Sequence, residues 1–329
     1  MDFIRSQLTK IPRVAPVDLS RSTVLITGAN SGLGLETARE ILHSKPGRLI
    51  LAVRDLGKGN EARKLLAGAN PSGAKIDVRK LDQSNFQSVQ AFVAGLEGEP
   101  VDIAILNAGV WNTKFTTTVD GYESDLQVNY LGAALLSLLL LPNLRAAAAK
   151  PRLPNVPRPH LTVVASGLHE MAQFPERRLP SGQVLAALND QKQYTQKDRY
   201  PVTKLLSLLW TKSLSSRVPS SEIIISSPAP GFCKTGLFRD MSGIAGFILR
   251  LAMAVLGRSA QDGARCLVDA ALTKTEETHG LYLSEMSVKP ESELVRSEEG
   301  QKLQEKMWEE CMEIFVRHDI NVKASFPAA

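Results

Sequence analysis

The chain has 329 residues, 43% of them hydrophobic and 22% charged, an ordinary balance for a soluble globular protein of one large α/β domain or two modest ones. Its net charge of +5 is scattered rather than gathered into a basic stripe, which argues against nucleic acid as the partner. Three distant cysteines, Cys233, Cys266 and Cys311, exclude a disulfide framework and fit a reducing compartment, so a cytoplasmic location is expected.

Residues 1–20 read as an N-terminal arm without the continuous apolar core of a secretory signal. Phe3, Ile4 and Leu8 could form one face of a short helix ended by prolines. Residues 21–329 read as a single domain. Apolar runs predict strands at 23–27, 48–53, 75–81, 101–107, 160–166 and 222–227, with a weaker one at 280–283. Helical patterns fall between or after them at 35–43, 58–67, 85–95, 121–149, 200–217, 260–273 and 300–317. Such alternation means right-handed crossovers and a doubly wound parallel sheet with helices on both faces. Ligands then bind beyond the carboxyl ends of the strands.

Two stretches are expected to cover a substrate. One is the long insertion 167–199, which follows the proline-rich connection 151–160. The other is a lid-like segment, 236–260, containing the most apolar run of the chain at 243–257. That run is shorter than a bilayer span and contains Arg250, so a buried or substrate-covering helix is expected. A membrane-surface contact is the alternative.

In chain order, the first chemical signal is TGANSGLG at 27–34, between a strand and a helix. Gly28, Asn30, Ser31, Gly32, Leu33 and Gly34 would let the backbone approach a pyrophosphate at a helix N-terminus. After the second strand come Arg54 and Lys58. Cations there suit a 2′-phosphate, favouring NADP(H), while Asp55 between them leaves NAD(H) open. Asp82 could accept from an adenine amino group or cap the next helix. Asn107, Ala108 and Gly109 form a small turn on which a flat adenosine could lie. Tyr200 and Lys204, four residues apart, share one helix face. The ammonium would lower the pKa of the phenol from its usual ~10. Pro201 then requires the first turn of that helix.

Taken with Asn129 in VNYLG, Ser166 after LTVVA and PAPG before Thr235, these motifs resemble the short-chain dehydrogenase/reductase superfamily from about 22 to 235. The opening arm, the AVRD turn, the SGLHE insertion and the GQKLQEKMWEE tail look like its retinol-dehydrogenase-like branch and fungal reductases of secondary metabolism. The resemblance implies a Rossmann-type fold and a nicotinamide cofactor. Tyr200 would be the proton donor, Lys204 would bind the nicotinamide ribose, and Ser166 would bond the reacting oxygen. Asn129 would hold a relay water, Asp82 and Asn107 would contact adenosine, and Pro230, Gly231 and Thr235 would flank the nicotinamide. A single serine in Ala165-Ser166-Gly167 departs from the more usual serine pair.

An apolar ketone, aldehyde or alcohol of polyketide or terpenoid type is the implied substrate. Trp111, Phe174, Phe232, Phe238 and Met241 could line its pocket or belong to the core. The family's habit of pairing helices implies a homodimer or homotetramer, which the helix at 300–317 could support or block. Two other readings stay open: an NADPH-binding sensor or scaffold, and a non-redox isomerase or cyclase. A Ser166–His169 hydrolase lacks its elbow and acid, and the histidines show no metal-ligand spacing.

Overall fold

A computed structural model describes residues 6–7, 9–68, 70, 73–151, 156–238, 241, 243–322 and 325, with the side chains of 244, 245 and 247–249 left aside. The expected helical face of Phe3, Ile4 and Leu8 lies outside the described residues, as do residues 152–155 of the proline-rich connection. Eight strands form one sheet: β1 (Thr23–Thr27), β2 (Arg48–Val53), β3 (Lys75–Lys80), β4 (Ile103–Leu106), β5 (His160–Val163), β6 (Ile224–Ala229), β7 (Tyr282–Ser284) and β8 (Ser287–Val288). Their order is β3-β2-β1-β4-β5-β6-β7-β8, parallel throughout except for the β7–β8 hairpin. Strand order reverses between β1 and β4, which puts the loops after Thr27 and Leu106 on either side of the crevice.

Side-chain alternation decides what covers each face. Leu25, Ile50, Ala52 and Ala104 point into one core with helices α3 (Phe86–Ala94), α4 (Ser124–Leu139), α5 (Leu141–Ala148), α6 (Gln196–Ser215) and α9 (Glu298–Arg317). Val24, Ile26, Leu49, Leu51, Ile103 and Ile105 point the other way, into α1 (Gly32–Leu42), α2 (Leu56–Ala67) and α8 (Ala260–Leu272). Helix α6 is buried almost all round, since the sheet flanks one side and α9 the other. Trp210 of α6 stacks on Trp308 of α9 at 4.5 Å, and Tyr130 of α4 donates to the Met307 carbonyl at 3.1 Å. That part of α4 and α6 is therefore covered from within the chain.

Three predicted helices come out differently. The one placed at 121–149 starts at Ser124, takes a π-turn at Gln127–Leu131 and breaks with a 41° bend, where Pro142 opens α5. α1 begins at Gly32, inside the glycine loop, because the extended backbone of Ser31 already sets the helix start. α6 begins at Gln196, so Pro201 lies inside it and not in its first turn. Asp198 anchors that extra turn by accepting from the N–H groups of Gln173 and Phe174 at 2.9 and 3.0 Å. Among the described residues no single helix is long and apolar enough to cross a membrane, and the bent α4–α5 pair that passes on composition is mostly buried. The apolar run forms α7 (Gly243–Leu256), with Leu251 57% and Val255 74% exposed. It covers rather than fills a core.

Candidate active site

Thr27 organises the cofactor end of the crevice. Its hydroxyl accepts from the N–H groups of Asn107 and Ala108 at 3.0 and 2.9 Å, and its carbonyl accepts from Asn107 Nδ2 at 2.9 Å. The chain then turns at Gly28 and Gly32, with φ of 66° and 54°, a region open mainly to glycine. A Cβ on Gly34 would stand 2.3 Å from the Gly28 carbonyl oxygen, so strand and helix close on each other only through glycine. Asn30 lies half-buried in the turn. Ser31 is exposed at the N-cap of α1 but makes no side-chain capping bond, which leaves first-turn N–H groups for an outside acceptor. A cradle of this kind fits the pyrophosphate of a dinucleotide. Leu33 turns its side chain toward Gly263 of α8.

Two residues expected to contact adenosine also have partners within the chain. The Asn107 amide donates to the Thr27 carbonyl and so shapes the loop. Asp82 accepts from the Ser84 N–H and hydroxyl at 3.0 and 2.6 Å, while Asn85, not Asp82, caps α3. After β2, Arg54 and Lys58 are exposed and, among the described residues, held in no ion pair. Asp55 caps α2 through the Lys58 N–H at 3.1 Å. That bond lowers its carboxyl from the usual range, with Lys58 and Lys80 adding to the effect, so Asp55 is already engaged. Lys80 was not singled out from the sequence. The β2–β3 register sets it beside Val53, and its ammonium donates to the Arg54 carbonyl.

At the other end of the crevice, Ser166 follows β5 and caps a short 3-10 turn, accepting from the Leu168 N–H at 3.2 Å. Its side chain also lies near enough to the Tyr200 phenol, across the long insertion, to favour the ionised form. Lys204 is buried and donates to the Val164 carbonyl at 2.9 Å. Burial brings its ammonium down to about 8. The expected lowering of the Tyr200 phenol is reversed here. Burial drives it well above the usual phenol value and the charge of Asp125 adds to this, while only the Ser166 side chain opposes. Lys204 Nζ sits 5.8 Å from the centre of the Tyr200 ring, turned toward Val164.

Asn129 lies in the π-turn of α4, a form of helix that recurs at functional sites. Its side chain accepts from the Val110 N–H at 2.8 Å and donates to the Val110 carbonyl at 2.9 Å and to Thr203 at 3.1 Å. Its carbonyl accepts from Ser207 at 2.9 Å. Through these bonds Asn129 clamps the Gly109–Val110 loop to α6. A Cβ on Gly109 would meet Asn129 Oδ1 at 3.1 Å, which explains the glycine there.

Asp125 performs the matching task one step on, accepting from the Asn112 N–H at 3.1 Å and its side-chain amide at 2.6 Å. Trp111, between these two grips, stacks on Tyr200 at 4.4 Å and 3°. Phe238 meets Trp111 edge-on at 5.1 Å, and Phe232 lies 5.7 Å from Phe238. Trp111 Nε1 is buried with no hydrogen-bond partner among the described residues. Phe174 instead belongs to the core. Met241 is half-buried beside the lid, its carbonyl accepting from Arg250. His169 is no partner for the Ser166 hydroxyl. One ring nitrogen meets the Ser166 carbonyl at 2.8 Å and the other accepts from the Ser292 N–H at 3.1 Å. Among the described residues no group of His, Cys, Asp or Glu could hold a metal.

Burial, then the charge of Glu123, raises the Asp125 carboxyl to about 7. The stability tied to its proton is complete below the ordinary carboxyl pKa of ~3.9 and is lost as pH rises through about 7. Asp125→Asn keeps an acceptor for Asn112. It is therefore expected to melt above the unaltered protein at pH 8, with the gap closing toward pH 4. Scanning fluorimetry at the two pH values reads this, and a lower melting temperature at pH 8 would refute it.

Comparison with known proteins agrees with this geometry. The family profile described as short chain dehydrogenase matches residues 22–151. The short-chain dehydrogenase anuD of Penicillium roqueforti is 37% identical over 95% of this chain and 82% of its own length. The chain belongs to the short-chain dehydrogenase family. The short chain dehydrogenase/reductase mfmJ of Annulohypoxylon moriforme is 35% identical over 95% of this short-chain dehydrogenase and 90% of its relative. Both relatives are fungal, as the opening arm and tail lead one to expect. The same fold recurs in the NADPH-bound carbonyl reductase from chicken fatty liver, at a TM-score of 0.61 and 19% identity, covering 84% of this chain and 96% of that one. As a short-chain dehydrogenase the protein is an oxidoreductase, and its fold binds a nicotinamide cofactor.

Proposed function

We propose that the protein reduces a ketone or aldehyde of a sizeable apolar molecule with NADPH, or oxidises the corresponding alcohol. A polyketide- or terpenoid-type biosynthetic intermediate is the substrate class we favour. The observation that carries this is the convergence of Tyr200, Ser166 and the buried Lys204 at one end of the crevice, walled by Trp111, Phe238 and Phe232. Arg54, Lys58 and Lys80 support NADP(H), being cations gathered where a 2′-phosphate would lie.

Bound NADPH would supply the hydride. Tyr200, held fully protonated by its surroundings, gives its phenolic proton to the carbonyl oxygen as the alcohol forms. Ser166 donates to the same oxygen, so developing negative charge meets a preorganised donor. Lys204 is positioned by Val164 to bind the nicotinamide ribose. The aromatic wall buries the apolar body of the substrate, and Trp111 Nε1 offers it one further donor. Burial keeps the phenol protonated, so the proton is in place for the carbonyl, though the raised pKa makes it a weaker donor.

The test is incubation of the purified protein with an extract of its source organism and C4-deuterated NADPH, each C4 face in turn. Deuterium should enter one carbonyl-derived metabolite, and far less should follow from deuterated NADH. Product formation without label would replace this reading by a non-redox one.

A further inference from the structure

We infer that Lys234, at the base of the lid segment, and Arg250, within it, close onto the pyrophosphate of the bound dinucleotide, making the lid a cofactor clamp as well as a substrate cover. The inference rests on the dinucleotide reading above and adds two residues that no motif marks. A cavity of about 490 Å³ separates the glycine loop from the lid. Gly32, at the start of α1, forms one wall. Lys234, Thr235, Arg250 and Met253 form the other, and no carboxylate lines it among the described residues. Thr235 already approaches the loop, its Cβ 3.5 Å from where a Cβ on Gly32 would stand.

Among the described residues neither Lys234 nor Arg250 is in an ion pair, and Arg250 engages only its Nη1, with the Met241 carbonyl at 3.1 Å. Arg250 is also the one charged residue in α7, whose sequence is otherwise apolar. Two unpaired cations and the positive end of α1, converging on one cavity, make a field that attracts an anion. A diphosphate, with two charged groups side by side, matches two cations facing a helix start.

The lid is built to hold that geometry at its base and move above it. Gln7 donates to the carbonyls of Phe232 and Leu256 at 2.9 and 3.1 Å and accepts from the Phe232 N–H at 3.1 Å. Lys234 N–H donates to the Arg258 carbonyl at 2.8 Å, and Arg258 N–H to the Phe232 carbonyl at 2.8 Å. The Arg258 guanidinium reaches the Pro230 carbonyl at 3.3 Å and ion-pairs with Glu285 at 3.5 Å. Both ends of the lid are thereby pinned together next to Gly231, whose φ of 81° turns the chain there. Lys234 stands on the pinned base. Arg250 stands on the helix above it, so closure brings the second cation to the phosphates.

The test is titration of NADPH and NADH, read by nicotinamide fluorescence, against the full chain and the variants Lys234→Ala, Arg250→Ala and the double variant. The pyrophosphate is common to both dinucleotides, so each single variant should raise both Kd values by the same factor, about fivefold, and the double variant by about 25-fold. Arg250→Lys should restore most of the loss, and melting temperatures should not move. An unchanged Kd in the double variant overturns the clamp. So does a loss confined to NADPH, which would assign the cations to the 2′-phosphate. If the unaltered protein binds neither dinucleotide, the cofactor reading itself fails and the clamp goes with it.

Discussion

Tyr200→Phe is expected to lower kcat about 10³- to 10⁴-fold while leaving NADPH affinity nearly intact. The substitution removes the hydroxyl that delivers the proton, yet keeps the ring that stacks on Trp111 at 4.4 Å. The pocket wall therefore survives and only the acid is lost. Steady-state kinetics with the compound that accepts deuterium, beside NADPH titration of the same variant, separates the two effects. Turnover at the unaltered rate would show that the proton comes from elsewhere. A parallel fall in NADPH affinity would mean that the stack, not the acid, had been disturbed.

Gly34→Ala is expected to remove dinucleotide binding altogether. The added methyl would stand 2.3 Å from a backbone oxygen and 2.7 Å from Asn107 Nδ2. Neither neighbour is the loose end of a flexible side chain, since Asn107 is held on Thr27. The loop must open, and overpacking of this kind costs about 1–3 kcal/mol of stability as well. Gly68→Ala is the control, because a Cβ there meets nothing closer than 3.9 Å. Fluorescence titration and thermal melting of both variants decide the matter. NADPH affinity retained in Gly34→Ala would show that the cradle does not need its present shape.

Continuous apolar runs and glycine spacing made the sheet and the phosphate loop legible in the sequence, because strands buried on both faces and turns at positive φ leave direct marks on residue choice. Tyr200 and Lys204 were legible for a similar reason: helical periodicity alone puts them on one face. The direction of the Tyr200 pKa was not legible. It depends on Asp125, 75 residues away along the chain, and on burial, which no local pattern reports. The internal partners of Asn107, Asp82 and Asn129 were not legible either. Each is a short polar side chain whose use is fixed by whichever backbone group folding brings beside it. The π-turn at Gln127–Leu131 was hidden too, since one extra residue in a buried apolar helix leaves no break in composition.

The contacts of Gln7 carry a consequence for how the molecule is made. Its partners Phe232 and Leu256 lie 225 and 249 positions later in the chain. On the ribosome the segment around Gln7 emerges first and must wait, without those partners, until some 249 further residues have been synthesised. The sheet strands β1 to β5 can assemble meanwhile, as their pairings need no residue beyond Val163. Closure of the lid base therefore comes late in biosynthesis, after the scaffold that presents the glycine loop has formed.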